Sequence, residues 1–274
     1  MSHGTRRLRI RVVVVVTVAA AALLLPAGLP AGLPAGAVAS AVISPAPSAV
    51  LWEADPSKGL DVFQSLERSP GTISVADDPK KTYGRSYLYE TWDHGSKERC
   101  ESKGHRLPDG SVLTYARPGE TYYVGWRSLW NPMPIKRGRW IAFWQLHHYG
   151  AGPGGGPLAL RTLGDGKLHL QYTPPNGSDL HIWSTTLSLN EWNSFVVGFR
   201  VSRSPSDGWI EFWYNGVQQR LINGSTRYPA AVLKPGADYV TDKWGVYRSH
   251  PVDGRARAYL NHARVATSYA EAAP

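Results

Sequence analysis

The segment FWQLHHY places an amide and an imidazole two residues apart, at Gln145 and His147. Alternate side chains of a β-strand point to the same face, so we expect these two to lie together, with Phe143 beside them. Trp144 and Leu146 would then point to the other face. An amide can donate a hydrogen bond to a developing negative charge, and an imidazole exchanges protons near neutral pH. This face therefore has groups suited to acid–base chemistry on an anionic substrate.

A second segment, KWGVYR, alternates in the same way near the C-terminus. Lys243, Gly245 and Tyr247 share one face, and Arg248 points to the other. A glycine within a strand often marks the close approach of a ligand, so we expect Gly245 on the floor of a groove. Cationic neighbours favour the phenolate form of a tyrosine, whose ordinary pKa is about 10. Tyr247 is therefore a candidate acid or base.

Two arginines could supply positive charge to the same groove. Arg99 shares a face with Glu101 in KERCE, and Arg127 shares a face with Tyr123 and Gly125 in TYYVGWRSLW. A structural role is the alternative for each arginine. Arg99 would then pair with Glu101 across strands, and Arg127 would lie along an aromatic ring.

Taken in chain order, these motifs resemble those of the jelly-roll polysaccharide lyases, a group that includes family 7 alginate lyases, glucuronan lyases and heparin lyase I-like enzymes. The motifs are Arg-x-Glu at 99–101, Gln-x-His at 145–147 and Lys-x-Gly-x-Tyr at 243–247. The segment 192–216 also resembles a sheet hairpin of the heparin lyase I-like branch. The resemblance covers most of residues 85–266.

Two departures bear on the substrate. The alginate-type motif usually continues with leucine where this chain has Ser102, and it usually has asparagine where this chain has Arg248. The resemblance therefore implies a glucuronan or a heparin- or hyaluronan-like glycan rather than alginate.

The resemblance implies β-elimination, in which a base removes the C5 proton of a uronate and an acid protonates the leaving oxygen O4. Removing that proton makes the neighbouring carboxylate enolate-like, and Gln145 would stabilise the growing charge. His147 and Tyr247 would be the acid and base pair, with the assignment left open. The cationic residues expected to bind the substrate are Arg99, Lys243, Arg127 and Arg248.

Two other functions remain open at this stage. A lectin-like module that binds acidic glycans without cleaving them would have the same fold and charge, but it would not need Gln145, His147 and Tyr247 together. A glycoside hydrolase would need two carboxylates, and Glu211 has no evident acidic partner in the sequence.

The sequence predicts no cofactor and no metal site. Its histidines do not have the spacing of zinc ligands, and β-elimination through an amide does not require a metal ion. Loop acids at 77–78 or Asp253 could at most join a structural calcium site.

The motifs lie within a series of short aromatic and β-branched segments, without a long stretch of helical period. Turn-forming residues at 164–166, 174–177, 206–208 and 253–254 predict antiparallel hairpins. Many short strands around one core predict an all-β fold: a concanavalin A-like β-sandwich, or jelly roll, with a curved sheet that forms a substrate groove. We assign residues 51–274 to this single domain.

Two further features have both a structural and a functional interpretation. Cys100 is the only cysteine, so the chain cannot form an internal disulfide, and a buried structural thiol is favoured over a catalytic one. The glycine-rich stretch at 150–157 follows the Gln-x-His motif directly, and it is either a plain connector or a flap over a ligand.

Residues 1–39 have the layout of a secretory signal peptide. An N-terminal region with four arginines precedes an apolar stretch too short to span a bilayer, and Ala-Val-Ala at 37–39 is a possible cleavage site. Residues 40–50, rich in proline, alanine and serine, are interpreted as a short linker. We therefore expect a secreted, extracellular protein without a stable membrane anchor after cleavage.

Charge indicates the kind of partner. Removing the four leader arginines from the 30 lysines and arginines leaves 26 basic residues against 21 acidic ones, a net charge of +5. A mildly basic surface suits an anionic polysaccharide, but clusters of lysine and arginine that would indicate nucleic-acid binding are missing from the sequence. We expect a monomer.

Overall fold

The computed structural model describes residues 49–151 and 155–274. The predicted signal peptide at 1–39, and the predicted linker at 40–50 up to residue 48, lie outside the described residues. Within the described part of the chain, no helix has the length and apolar character needed to cross a bilayer.

Almost all regular structure in the described residues is β-strand. One 3-10 turn covers Pro56–Lys58, and one short helix, α1, covers Tyr269–Ala272. The strands are β1 (Val50–Ala54), β2 (Ser65–Ser69), β3 (Thr72–Asp77), β4 (Arg85–Thr91), β5 (Glu98–Lys103), β6 (His105–Arg106), β7 (Val112–Leu113), β8 (Thr121–Trp130), β9 (Ile141–Gly150), β10 (Leu158–Thr162), β11 (Lys167–Tyr172), β12 (Leu180–Thr186), β13 (Asn193–Arg200), β14 (Trp209–Tyr214), β15 (Val217–Gln218), β16 (Arg227–Pro229), β17 (Ala237–Arg248) and β18 (Ala256–Ala266).

The strands form two large antiparallel sheets. The front sheet has the order β12-β11-β10-β9-β17-β5-β2. The back sheet has the order β15-β14-β13-β8-β18-β4-β3, with β1 beside β18 and β16 beside β14. Strands β6 and β7 form a separate small pair. The prediction of an all-β sandwich of the jelly-roll type is confirmed.

Buried aromatic rings join the two sheets. Trp126 of β8 stacks on Trp144 of β9 with ring centroids 5.0 Å apart, and Trp52 of β1 stacks on Trp244 of β17 at 5.7 Å. The indole Nε1 of Trp144 also donates to Oδ1 of buried Asp242 at 2.7 Å. Burial of such large apolar surfaces is the main favourable term in folding. The packing of these rings fixes the positions of β9 and β17, whose opposite faces carry the candidate catalytic residues.

Three of the four predicted hairpins are present. The turns at 164–166, 174–177 and 206–208 join β10 to β11, β11 to β12 and β13 to β14, and each pair is antiparallel. The prediction for 253–254 is wrong, because β17 lies in the front sheet and β18 in the back sheet. The segment between them carries the chain from one sheet to the other.

A β-bulge in β9 changes the alternation expected around Gln145. Ala142 and Trp144 pair with consecutive residues of β10, so Phe143 between them has no partner on that strand. Phe143 turns into the core, where its ring lies 4.2 Å from that of Trp130. The expectation that Phe143 shares the face of Gln145 is therefore wrong.

Cys100 is fully buried, and its Sγ donates to the carbonyl oxygen of Thr72 at 3.1 Å. Burial raises the pKa of the thiol to about 12. A thiol in this state is a poor nucleophile. The surroundings of Cys100 agree with the structural interpretation.

Candidate active site

Polar side chains line the outward face of the front sheet, which is turned away from the aromatic core. The register of neighbouring strands places them side by side, because residues paired across strands point to the same face. We call this surface the polar face. It is formed by Glu67, Arg99, Glu101, Lys243, Tyr247, Gln145, His147, Arg161 and Gln171.

Gln145 is held by a carboxylate inside the sheet. Its Nε2 donates to Oε1 of Glu101 at 2.6 Å, and the Glu101 side chain is only 2% exposed. Burial raises the pKa of Glu101 against the opposing effect of Lys243 and Arg99. One N–H of the amide is thus used to fix its position, and the amide has a second N–H that can serve a ligand.

Glu67 lies between two cations of the polar face, Lys243 and Arg99. Lys243 Nζ contacts both of its carboxylate oxygens, at 2.8 and 2.9 Å, and Arg99 Nη1 lies 2.8 Å from Oε2. The Lys243 side chain is only 2% exposed. The expectation that Lys243 binds substrate directly is therefore wrong: its ammonium lies below the surface. Arg99 is 31% exposed and remains on the surface.

Tyr247 lies between a cation and an aromatic ring. The Arg99 guanidinium carbon is 4.0 Å from the centroid of the Tyr247 ring, and the two residues pair across β5 and β17. Trp140 meets the same ring edge-on, with centroids 4.7 Å apart. These contacts fix the ring and place positive charge beside the phenol.

His147 is a neutral imidazole at physiological pH. Burial lowers its pKa to about 4, and the positive charge of Lys243 acts in the same direction. Its Nδ1 lies 2.8 Å from the carbonyl oxygen of His148. Because a carbonyl can only accept, Nδ1 must carry the proton, which leaves Nε2 of His147 with a free lone pair.

A cavity of about 250 Å³, here called the front cavity, opens on the polar face. Gln145 and Tyr247 line it together with Trp140, Arg161 and Lys234. Two groups predicted to be catalytic from distant segments thus meet at one cavity. His147, two residues along β9, lies on the same polar face but is not among the residues that line this cavity.

Arg161 and Lys234 were missed by the sequence analysis. The Arg161 side chain is 17% exposed, and its Nε is buried without a hydrogen-bond partner among the described residues. Burial lowers the pKa of Arg161 and that of Lys234, while the charge of Asp179 opposes this effect at both. Arg161 alternates with leucines in β10, which was an available signal. Lys234 lies in a loop without any periodic pattern.

Gly155 and Gly156, at the end of the glycine-rich stretch, also line the front cavity. A Cβ at Gly156 would lie 2.0 Å from the carbonyl oxygen of Leu146. Glycine is therefore required here by the close approach of the loop to β9. The described end of this stretch borders the cavity, as a flap over a ligand would.

Two of the predicted substrate-binding arginines lie elsewhere. Arg127 is in β8 of the back sheet, where its guanidinium lies 4.2 Å from the ring centroid of Tyr83. Arg248 is fully buried, and its Nε donates to Oε2 of Glu98 at 2.9 Å. Both predictions are corrected: Arg127 belongs to the other sheet, and Arg248 points inward because it alternates with Tyr247.

Gly245 does not provide open space for a ligand. It has a φ of +141°, and a Cβ there would lie 2.1 Å from the carbonyl oxygen of Cys100 and 2.9 Å from the ring of Tyr89. The sequence predicted that something would approach this glycine closely, and the structure shows that it is the backbone of β5 and a core side chain. The expectation of a groove floor at Gly245 is wrong.

Two acids considered for other functions are occupied by protein donors. The Glu211 carboxylate accepts from Nε and Nη2 of Arg227 at 3.0 and 2.8 Å, on the back sheet. Asp78 accepts from three backbone N–H groups of its own loop and from Nε1 of Trp192. Neither residue is arranged as a hydrolase acid or as a calcium ligand.

The family described as "Polysaccharide lyase" matches residues 63–264. A search of the curated proteins gives no significant match to the sequence.

Several solved structures share the fold. An endo-β-1,4-glucuronan lyase from the fungus Trichoderma reesei has 15% identity and a TM-score of 0.59, over 77% of this chain and 93% of that one. The alginate lyase vAL-1 from Chlorella virus has 12% identity and a TM-score of 0.54, over 80% of this chain and 100% of that one. The alginate lyase AlyA1 from Zobellia galactanivorans has 14% identity and a TM-score of 0.50, over 75% of this chain and 95% of that one. At these identities the similarity establishes the architecture.

Proposed function

The chain belongs to the polysaccharide lyase family and is a polysaccharide lyase, and from this premise we propose that it cleaves a uronic-acid-containing polysaccharide by β-elimination at the polar face. The family match confirms the resemblance drawn from the three motifs. It also favours the lyase over the lectin-like module that the fold alone left open.

The observation that carries the proposal is the shared lining of the front cavity. Gln145 and Tyr247 come from different strands and meet there beside two cations, Arg161 and Lys234. Positive groups within a partly enclosed, low-dielectric pocket favour an anionic ligand strongly. A sugar carboxylate next to an amide and a phenol is the arrangement that elimination from a uronate requires.

Gln145 stabilises the charge that grows on the uronate carboxylate as the C5 proton leaves. Its hydrogen bond to Glu101 at 2.6 Å holds the amide before substrate arrives, so no reorganisation is needed in the transition state. Arg99, whose side chain is 31% exposed, adds positive charge on the same face.

His147 and Tyr247 move the protons. The neutral His147 accepts the C5 proton on Nε2, the electron pair of that C–H bond forms the C4–C5 double bond, and the C4–O4 bond breaks. Tyr247 donates its phenolic proton to O4, and Arg99, 4.0 Å from its ring, offsets the negative charge left on the oxygen. Proton return from His147 to Tyr247 through solvent restores the enzyme.

Glucuronan or a heparin- or hyaluronan-like glycan is the proposed substrate, ahead of alginate. Ser102 and Arg248 depart from the alginate-type motifs. The similar structures include a glucuronan lyase and two alginate lyases, so the preference rests on these departures from the motifs. Trp140, half-buried at the cavity beside Tyr247, offers an apolar surface for a sugar ring.

The test is an assay of ultraviolet absorbance, which rises when elimination creates an unsaturated uronate. Glucuronan, heparin, hyaluronan and alginate are offered separately to the purified chain. We expect the fastest rise with one of the first three. Binding without any rise on the four polymers would contradict the proposal, and a fastest rise on alginate would contradict the substrate preference.

We also propose that the protein is secreted through its 1–39 leader and acts as a monomer outside the cell. The leader has the composition of a signal peptide, and a polymeric substrate is met outside the cell. The exported protein should begin at Ser40, which the mass of the protein from culture medium measures. Light scattering of the same sample should give the mass of one chain.

A further inference from the structure

Asp93, Glu98 and His250 bring three potential metal-ligand atoms within 4.8 Å of one another. Asp93 lies between β4 and β5, Glu98 begins β5, and His250 follows β17. None of the three belongs to the residues that line the front cavity. The cluster is therefore separate from the proposed catalytic groups, at the end of the front sheet.

The atoms of this cluster face one another at unusual distances. His250 Nδ1 lies 3.4 Å from Oδ1 of Asp93 and 3.6 Å from Oε1 of Glu98. Hydrogen bonds between nitrogen and oxygen are normally 2.7–3.2 Å long, so both distances are too long for good ones. Within the described residues, Glu98 Oε1 and His250 Nδ1 are both buried and have no hydrogen-bond partner.

Unpartnered buried polar atoms are rare and call for an explanation. The Glu98 side chain is 0% exposed, and its other oxygen, Oε2, accepts from Nε of Arg248 at 2.9 Å. Asp93 and Glu98 carry two negative charges against the single positive charge of Arg248. A bound cation would both occupy the unpartnered atoms and balance the remaining charge.

The two distances from His250 Nδ1 fit a tetrahedral metal centre. Ligand atoms about 2.0–2.2 Å from zinc at tetrahedral angles are about 3.4 Å apart, close to the separations of His250 Nδ1 from the two carboxylates. One imidazole and two carboxylates leave a fourth position for water. Calcium would need six to eight oxygen ligands, so a nitrogen donor with two carboxylates is a poor calcium site.

We propose that Asp93, Glu98 and His250 bind a divalent transition-metal ion, with zinc as the best fit. The ion ties the segment before β5 to the segment after β17. The ion binds Oε1 of Glu98, and the other oxygen of that carboxylate, Oε2, accepts a hydrogen bond from Arg248. Arg248 is the residue next to Tyr247. The site is thus structural and supports the end of the strand that carries the phenol.

The test measures metal binding directly, so it does not depend on the proposed lyase activity. Chelator-treated full-length protein is titrated with zinc chloride in a calorimeter, and its Tm is measured with and without zinc. We expect one ion per chain and a Tm that rises with zinc concentration, as ligand linkage requires. His250→Ala and Asp93→Asn should each weaken zinc binding at least about tenfold, since each removes one of three protein ligands.

His94→Ala is the matched control, because His94 is exposed, adjacent to Asp93 and outside the cluster. It should bind zinc as the unchanged protein does. Cobalt(II) in place of zinc should give the absorption bands of a tetrahedral site in the unchanged protein and in His94→Ala only. Absence of zinc binding, or equal binding by His250→Ala, would overturn the proposal and leave the cluster as an ion pair.

Discussion

Gln145 donates a hydrogen bond to Glu101 at 2.6 Å, so an amide at the surface of the cavity is fixed by a carboxylate that lies almost wholly inside the sheet. Glu101 in turn lies near two cations, with Nε of Arg99 at 3.3 Å and Nζ of Lys243 at 3.9 Å from its Oε2. The amide is therefore the outermost member of a charged network. Its position depends on Glu101 and Lys243, two buried side chains that a substrate does not touch.

Replacing Gln145 by alanine should reduce kcat by about 10²–10³-fold, the usual cost of losing one donor that stabilises a developing oxyanion. KM should change much less, because the stabilised charge develops mainly in the transition state. Steady-state kinetics by ultraviolet absorbance measures both. Gln218→Ala, which removes an exposed glutamine of the back sheet, is the control and should behave as the unchanged enzyme. A Gln145→Ala variant with full kcat would remove the amide from the mechanism.

Tyr247→Phe and His147→Ala should each lower kcat by about 10²–10⁴-fold, because each removes a proton-transfer group. Circular dichroism should show that both variants stay folded. Tyr83→Phe is the control for the loss of a hydroxyl, since Tyr83 is 41% exposed and contacts Arg127 of the back sheet. Near-unchanged activity in both variants would mean that the acid and base lie elsewhere.

The pH dependence of kcat/KM should have its acidic limb near pH 4. Burial and Lys243 lower the pKa of His147 to about 4, so the imidazole stays neutral and able to accept a proton above that pH. Activity is lost as the pH falls through about 4, whereas an ordinary histidine would lose it near pH 6.5.

His262 provides a control for this pH profile. Its pKa is also lowered to about 4 by burial, but it belongs to β18 of the back sheet. His262→Asn should therefore leave the acidic limb of kcat/KM in place. A limb near pH 6.5 in the unchanged enzyme would show that His147 is not the base.

Arg161→Gln and Lys234→Gln should each raise KM roughly tenfold with a smaller effect on kcat, because they remove charge-assisted contacts to substrate carboxylates. Initial rates over a range of polymer concentrations measure the two parameters. Arg127→Gln makes the same charge change on the back sheet and should leave KM unchanged. If Arg127→Gln raises KM as much as Arg161→Gln does, the rise reflects the overall charge of the protein. The proposed contact between the substrate and Arg161 would then be wrong.

The sheet architecture was predictable because its signals are local. Strands from β8 to β14 are runs rich in aromatic, β-branched or leucine residues with turn residues between them, so alternation and turn chemistry identify both strands and hairpins. The same alternation placed Gln145 and His147 on one face and Tyr247 on another strand of the same surface. A local signal failed at 253–254, where a turn sequence connects two sheets rather than two neighbouring strands.

The parts that sequence could not supply are those that depend on pairing between distant segments. Glu67 in β2 holds Lys243 of β17, and nothing in either segment indicates the other. This ion pair explains why Lys243 is buried rather than available to substrate. The bulge that turns Phe143 inward likewise arises from the register between β9 and its neighbours. His250 lies too far along the chain from Asp93 and Glu98 for the three residues to show a metal-ligand spacing.

Trp144 and Gln145 are consecutive residues that serve opposite surfaces of β9. The Trp144 indole stacks on Trp126 and donates a hydrogen bond to Asp242. These buried contacts also fix the position of Gln145, the next residue of the strand. Substitutions that let β9 shift would disrupt the packing of Trp144 and destabilise the fold before they altered the chemistry at Gln145. Substitutions that change the glycan bound are consequently better tolerated in β10, at Gly155 and in the loop that carries Lys234, which border the same cavity without carrying the stacked indoles.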